Sequence, residues 1–209
     1  MTGAILIADD HPLFRQALAM AAGAVRPDSR LVECANLPTA LNEAVASDDL
    51  ILILLDLKMP GAEGYSGVAL LHAEKPDVPI LVVSSAEAGL AARNALRFGA
   101  VAFLSKDASL SEIEVAISDA LSGKRMAIPN DEEIDPVAAQ IASHTPTQLK
   151  VLLGVMQGRL NKQIAYDLGI SEATVKAHMT AILKKLDVQN RTQAVLAAKA
   201  LGLETISHG

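Results

Sequence analysis

The feature that most constrains this chain is a series of five short, almost wholly apolar runs, each followed by a stretch long enough for a helix. The runs are residues 4–8, 31–35, 50–55, 80–83 and 101–104. Such runs are typical of strands that are buried on both faces, and helix-length connections allow neighbouring strands to be parallel. The pattern predicts an α/β fold, a doubly wound five-stranded parallel sheet of order 2-1-3-4-5.

Polar residues stand where these predicted strands end: Asp9, Asp10, Asp56, Ser84 and Lys106. Strands one and three flank the switch point of such a sheet, so Asp9 and Asp10 are expected beside Asp56. Close carboxylates repel each other unless a proton or a cation intervenes, and Mg²⁺ favours carboxylate oxygens. With the Ser84 hydroxyl and the Lys106 ammonium available to contact phosphoryl oxygens, the pattern indicates a phosphoryl-accepting Mg²⁺ site.

The end of the chain is patterned for helices only. Thr145 and Gln148 form a capping-box sequence that predicts a helix ending near residue 157. Asn161 and Ser171 are expected to cap the next two helices, with a turn at Gly169 between them. Two short helices joined by a tight turn with glycine form a helix-turn-helix.

The second of these helices, residues 172–186, has an apolar stripe with helical spacing that is expected to pack inward. The stripe consists of Val175, Met179, Ile182 and Leu186. The opposite face carries small residues and lysines, which suit close approach to a groove and contacts with phosphates.

Acidic and basic residues are distributed unevenly along the chain. The net charge is −6, but residues 1–125 carry 16 acidic and 10 basic side chains, whereas residues 144–209 carry 4 acidic and 8 basic ones. We therefore expect a domain over residues 1–123, an acidic linker over 124–143 with a short helix after Pro136, and a second domain over 144–209. The basic segment of residues 144–209 is suited to binding a polyanion.

Composition also bears on the compartment. The single cysteine, Cys34, excludes an internal disulfide framework and fits a reducing cytosol. No apolar run approaches the ~18 residues of a membrane helix, and the N-terminus lacks the basic residues of a signal peptide. A cytoplasmic protein with no membrane partner is expected.

The segments ILIADDHPLFRQAL, LLDLKMPGAEG, ILVVSSA and GAVAFLSKD occur in this order and resemble the receiver domain of NarL/FixJ-type response regulators. The resemblance implies that Asp56 accepts a phosphoryl group, which Ser84 and Lys106 contact. It also implies a Mg²⁺ site formed by Asp9, Asp10, Asp56 and the backbone carbonyl of Lys58, with Asp9 acting through water. Phe103 occupies the position of the family's aromatic switch, usually Tyr, and phenylalanine lacks the phenol's hydrogen bond.

The segment LNKQIAYDLGISEATVKAHMTAILKKLDVQNRTQAV is similar to the LuxR-type helix-turn-helix. By that resemblance residues 172–186 form the recognition helix for double-stranded DNA. The predicted DNA-contact residues are Thr174, Lys176, Ala177, Thr180 and Lys184. The resemblance also suggests dimerisation through the last helix, whose apolar face includes Val195 and Leu196, and a dimer would read half-sites about one helical turn apart.

Together these features predict a two-component response regulator rather than an enzyme. A sensor histidine kinase would phosphorylate Asp56, and phosphorylation would control dimerisation and DNA binding at promoters. One alternative is a phosphate sink with a constitutive DNA-binding tail. Another is a Mg²⁺-dependent phosphohydrolase of the haloacid dehalogenase type, but that class needs a second aspartate at the position that Lys58 occupies here.

Overall fold

The computed structural model of the protein describes residues 3–62, 64–86, 88–127, 140–141, 143–200 and 203. The short helix expected after Pro136 falls largely outside these residues. The strands are β1 (Ala4–Ala8), β2 (Arg30–Cys34), β3 (Leu50–Leu55), β4 (Ile80–Ser84) and β5 (Ala102–Ser105). The first five helices are α1 (Pro12–Val25), α2 (Leu37–Ala46), α3 (Ser66–Glu74), α4 (Ala88–Arg97) and α5 (Leu110–Leu121).

All five strands are parallel, and their order is β2-β1-β3-β4-β5, as predicted. The predicted bounds of β2, β4 and β5 were wrong by one residue, because pairing begins or ends at a backbone hydrogen bond rather than at an apolar side chain. In the register, Ala8 of β1 lies opposite Leu55 of β3. The residues that follow these two strands therefore emerge side by side.

The sheet is covered on both faces. Apolar side chains of α1 and α5 pack with Ile5, Leu52 and Val83 on one face. Those of α2, α3 and α4 pack with Leu6, Ile53 and Phe103 on the other. Every strand contributes alternate residues to each layer, which accounts for the continuous apolar runs in the sequence.

The chain continues with α6 (Pro146–Met156), α7 (Asn161–Leu168), α8 (Glu172–Lys185) and α9 (Arg191–Ala200). The predicted capping box of α6 is present, since Thr145 Oγ1 accepts the amide of Gln148 and the Gln148 side chain accepts that of Thr145. Gly169 ends α7 in the left-handed conformation, and Ser171 caps α8 through the Thr174 amide at 3.0 Å. These helices form the predicted helix-turn-helix.

The prediction that Asn161 caps α7 was wrong. The cap is Leu160, whose amide donates to the Gln163 side chain at 2.8 Å, so the helix begins one residue earlier than expected. The Asn161 side chain instead accepts from Arg191 Nη1 at 3.4 Å.

The helical part is docked on the α/β part through α3 and α6. Residues 66–71 of α3 are all buried, so this helix has no solvent face over almost two turns. At the edge of the contact, Lys150 Nζ of α6 lies 3.2 Å from Glu74 Oε1 of α3. One continuous apolar cluster runs from the sheet through α3 into the helical part.

In the described part of the chain, the helices are too short or too polar to cross a bilayer.

Candidate phosphoacceptor site and DNA interface

Two buried carboxylates lie together at the ends of β1 and β3. The Asp56 amide donates to the Ala8 carbonyl at 2.9 Å, and the Asp9 amide donates to the Cys34 carbonyl at 3.0 Å. The sheet ladder thus continues to these two residues and fixes their backbones. Both side chains are almost completely buried, so the repulsion between them is poorly screened by water.

Lys106 bridges the two carboxylates. Its Nζ lies 2.7 Å from Asp9 Oδ2 and 2.8 Å from Asp56 Oδ2. The Lys106 amide donates to the Ser84 carbonyl at 3.0 Å, which anchors the lysine beside the end of β4. The ammonium also lies 4.8 Å from the ring centre of Phe14, within the range of a cation–π contact.

Burial alone would lower the pKa of Lys106, because it penalises the charged form. The hydrogen bonds and charges of Asp56 and Asp9 outweigh that penalty, and the net effect is a raised pKa. The lysine is therefore a fixed positive charge at the bottom of the pocket, the charge that a phosphoryl group needs.

Asp10 and His11 complete a possible cation site. One ligand atom each from Asp9, Asp10, His11 and Asp56 can be chosen so that all four lie within 4.8 Å of one another. Asp56 Oδ1 is buried and has no hydrogen-bond partner among the described residues. An unpaired, buried carboxylate oxygen is costly, and a cation would satisfy it. These oxygen atoms fit Mg²⁺, which takes carboxylate ligands and keeps several waters.

Ser84 and Phe103 lie next to this pocket on adjacent strands. Ser84 is fully buried, and its Oγ has no hydrogen-bond partner among the described residues. The Phe103 ring is buried on the α4 side of the sheet, opposite Val82 in the register. The Lys58 side chain points to solvent. The predicted role of its backbone carbonyl stays a prediction.

The second predicted surface lies on α8. The apolar stripe Val175, Met179, Ile182 and Leu186 is buried, as expected. Lys176, Ala177, Thr180 and Lys184 are exposed, and Thr174 is half-buried at the start of the helix. The structure thus brings these five residues to one helix, away from the site at Asp56.

Three of these side chains make local contacts. Thr174 Oγ1 lies 2.8 Å from Ser171 Oγ. Thr180 Oγ1 donates to the Lys176 carbonyl at 3.1 Å, and Lys176 Nζ lies 3.5 Å from Glu172 Oε1. Both partners are on the surface, where such an ion pair contributes little and is readily exchanged for a phosphate.

Sequence reasoning missed two roles. Lys185, at the end of α8, donates to the Ser143 carbonyl at 2.8 Å and to Gln148 Oε1 at 3.1 Å, tying α8 to the start of α6. The guanidinium of Arg191 donates to the carbonyls of Val155 and Arg159, tying α9 to the end of α6. Residue type and spacing carry no signal for either contact.

The outer face of α9 is open. Leu196 is 62% exposed, and Val195 is partly buried beside it. Lys199 and Ala200 are exposed on the same helix. An exposed leucine next to a cation is compatible with the predicted dimer contact, which stays a prediction.

Comparison with known proteins assigns both parts. The sequence model of the response regulator receiver domain matches residues 5–118. The model of the luxR family of bacterial regulatory proteins matches residues 142–198. The chain belongs to the response regulators with a LuxR-type DNA-binding domain. The sheet of order 2-1-3-4-5 is therefore a receiver, and the helices α6–α9 form a LuxR-type domain.

Two relatives match more than nine-tenths of the chain, and one solved structure matches about three-fifths of it. The Glycerol metabolism activator of Pseudomonas putida is 42% identical over 207 residues, covering 93% of this chain and 94% of the relative. The nitrate/nitrite response regulator NarL of Escherichia coli K12 is 32% identical, covering 92% and 93%. A LuxR-family response regulator from Aurantimonas sp. SI85-9A1 of known structure is 25% identical, with a TM-score of 0.53, covering 62% of this chain and 91% of that one. The names of these relatives are those of an activator and of response regulators.

Proposed function

We propose that this response regulator is a phosphorylation-switched transcription regulator. A sensor histidine kinase phosphorylates Asp56 with Mg²⁺ present, and the phosphoryl group controls dimerisation and sequence-specific binding to promoter DNA in the cytoplasm. The observation that supports this most strongly is the buried Asp9–Lys106–Asp56 bridge at the switch point, with Asp56 Oδ1 and Ser84 Oγ left unpaired beside it. We assign residues 1–123 to the receiver, 124–143 to the linker and 144–209 to the DNA-binding domain.

The transfer itself is a displacement at phosphorus. An Asp56 carboxylate oxygen forms the new O–P bond while the P–N bond of the kinase phosphohistidine breaks. The imidazole nitrogen keeps the electron pair and takes up a proton from solvent. Lys106 then faces a phosphoryl oxygen instead of a bare carboxylate, and the Ser84 hydroxyl donates its unused hydrogen bond to another.

The cation would be held by carboxylate oxygens of Asp10 and Asp56 and by the Lys58 carbonyl, with Asp9 acting through water. When bound, it neutralises charge that develops on the transferring group. Asp9 and Asp56 already share Lys106 through their Oδ2 atoms, so Asp56 Oδ1 is the oxygen left for the cation.

The switch would run from Ser84 and Phe103 into α4 and β5. To shift the ratio of active to inactive molecules from about 1:99 to 99:1, the phosphoryl group must favour the active state by about 5.5 kcal/mol. A few charge-assisted hydrogen bonds supply part of this. Dimerisation and DNA binding supply the rest, because they also favour the active state.

Dimerisation, rather than uncovering of the recognition helix, is the step that we assign to phosphorylation. Lys176, Ala177, Thr180 and Lys184 are already exposed while α6 is docked on α3. Since solvent already reaches these side chains, we propose that access to DNA needs no domain opening. Pairing through the open face of α9 would bring two recognition helices onto half-sites about one helical turn apart.

The test is recovery of fragments from a random DNA pool by wild type and Asp56→Asn, each with and without acetyl phosphate and Mg²⁺. We expect an inverted repeat that wild type selects only with the donor and that Asp56→Asn does not select at all. Asp107→Asn, an exposed carboxylate near the same sheet edge, is the matched control and should behave as wild type. Donor-dependent selection by Asp56→Asn would contradict the proposal.

The exposed face of α8 also supports the second candidate, a constitutive DNA binder whose receiver is a phosphate sink. In that case wild type would select the same repeat equally well with and without the donor. The phosphohydrolase alternative lacks the second carboxylate of its class, since Lys58 stands there with an exposed side chain. A turnover assay with a generic phosphate ester should show no activity above a buffer control.

A further inference from the structure

His11 occupies a position where its side chain is not needed for the fold. It is the N-cap of α1, but its side chain makes no capping hydrogen bond, unlike the Ser, Thr, Asp or Asn usually found there. Pro12 follows at the first helical position and has no amide to satisfy. The imidazole turns back to the pocket instead, with Nδ1 at 2.7 Å from Asp10 Oδ1 and 3.6 Å from Asp9 Oδ1.

The atoms around His11 are arranged for a cation. Ligands on opposite sides of an octahedral ion lie about 4.2 Å apart, since each is about 2.1 Å from the metal. The four candidate atoms of Asp9, Asp10, His11 and Asp56 lie within 4.8 Å of one another, so they already surround a volume close to the size of such a coordination shell. His11 and Asp10 can make that movement because their side chains are 68% and 32% exposed.

Within this cluster, one buried atom by itself calls for a ligand. Asp56 is 1% exposed, and its Oδ1 has no hydrogen-bond partner among the described residues. Lys106 occupies only the Oδ2 atoms of Asp56 and Asp9. The pocket thus keeps an unsatisfied anionic oxygen on a residue whose carboxylate belongs to the same group of candidate ligands as the imidazole.

The imidazole changes which ion the site prefers. Mg²⁺ takes oxygen ligands and is poorly served by nitrogen, whereas imidazole suits Zn²⁺ and other late first-row transition metals. We propose that His11 is a ligand of the receiver's cation site and makes that site bind a divalent transition metal more tightly than Mg²⁺. The inference rests on the proposed cation site at Asp56. Such an ion would compete with Mg²⁺ and make phosphorylation sensitive to transition-metal supply.

Calorimetric titration of the full chain with ZnCl₂ and, separately, with MgCl₂ tests this directly. We expect wild type to bind Zn²⁺ at least tenfold more tightly than Mg²⁺. His11→Ala should weaken Zn²⁺ binding at least tenfold and Mg²⁺ binding less than threefold. Asp56→Asn should weaken the binding of both ions, which localises them to the pocket. His178→Ala, a histidine on α8 remote from the site, should change neither affinity.

Three results would overturn the inference: Zn²⁺ binding no tighter than Mg²⁺ binding in wild type, Zn²⁺ affinity kept within threefold in His11→Ala, or equal loss in His178→Ala. Labelling of Asp56 by acetyl phosphate in Mg²⁺ is measured separately. Normal labelling with an unchanged Zn²⁺ affinity in His11→Ala would refute only the role of His11. Absent labelling with the expected Zn²⁺ pattern would refute only the proposed function.

Discussion

At the scale of single residues, the ammonium of Lys106 holds together two carboxylates that water barely reaches. Breaking a buried charge pair leaves an uncompensated charge and is far more damaging than losing a surface pair. Lys106 is thus needed for the stability of the pocket as well as for contact with phosphate. The two roles can be separated, because the first does not need a phosphoryl donor.

We expect Lys106→Ala to lower the free energy of unfolding by about 3 kcal/mol without Mg²⁺. Added Mg²⁺ should raise the thermal midpoint of this variant more than that of wild type, since the cation replaces the missing charge. Lys124→Ala is the control, because Lys124 pairs with Asp119 at 2.6 Å on the surface and its loss should cost less than about 1 kcal/mol. Equal midpoints for the two variants would refute the structural role of Lys106.

His144, just before α6, makes the stability of the folded protein depend on pH. Its ring is buried, its Nδ1 lies 2.8 Å from the Gln140 carbonyl, and its Nε2 has no hydrogen-bond partner among the described residues. Burial lowers its pKa, and nearby Lys185 lowers it further, although the carbonyl opposes this. Between the lowered pKa and the ordinary value of about 6.5 the unfolded chain binds more protons, so stability is lost as pH falls through this window.

The check is the thermal midpoint at pH 7.5 and pH 5.5 for wild type and His144→Asn. We expect the thermal midpoint to fall more on acidification in wild type than in the variant. Each unit of difference between the folded and unfolded pKa is worth about 1.4 kcal/mol of stability. His72, whose pKa burial also lowers, is present in both proteins, so its contribution cancels. An equal fall in the two proteins would show that His144 is not the sensitive group.

At the scale of elements, the turn from α4 into β5 depends on glycine. Gly99 has φ +110°, and a Cβ there would overlap the His72 ring of α3. Gly123, after α5, has φ +80° with open space around it. Gly99→Ala therefore meets both backbone strain and a clash, whereas Gly123→Ala meets the strain alone.

We expect Gly123→Ala to cost about 1–2 kcal/mol, the usual penalty of a left-handed conformation. Gly99→Ala should cost clearly more, because the His72 ring must move as well. Chemical denaturation of both variants measures the difference. A Gly99→Ala/His72→Ala double variant should recover part of the excess, and failure to recover any would show that the ring is not the obstacle.

Most elements could be predicted from sequence because their causes are local. Apolar runs, capping residues and Gly169 specify strands, helix starts and the turn between α7 and α8 without reference to the rest of the chain. The clustering of Asp9 and Asp56 was also predictable, since parallel topology brings the ends of β1 and β3 together. Lys106 follows β5, two strands from β3, and its long side chain reaches both carboxylates. The cap at Leu160 was not, because the Gln163 side chain supplies a contact that its residue type does not announce.

At the scale of the whole molecule, α3 and α6 join the two domains. Sequence gave no sign of this docking, because an apolar residue on a helix does not reveal which neighbour will cover it. The pair of Glu74 and Lys150 marks the edge of the interface. Since the apolar cluster is continuous through it, we expect the domains to move as one body in the unphosphorylated protein.

Charge reversal tests this docking. Glu74→Lys or Lys150→Glu alone places like charges together and should loosen the interface, costing up to about 1 kcal/mol. The double reversal should restore the contact. Small-angle scattering should give a larger radius of gyration for each single variant and a wild-type value for the double. Identical scattering curves for the two single variants and the double variant would show that the pair does not contribute to docking.

On the proposed mechanism, the exposed face of α8 bears on the lifetime of the DNA complex rather than on access to DNA. A monomer with this face exposed would already slide along chromosomal DNA through salt-dependent contacts with phosphates. Pairing adds a second half-site and slows dissociation much more than it speeds arrival. On the proposed mechanism the regulator would scan its promoters before any signal arrives, and phosphorylation would set how long it stays at one of them.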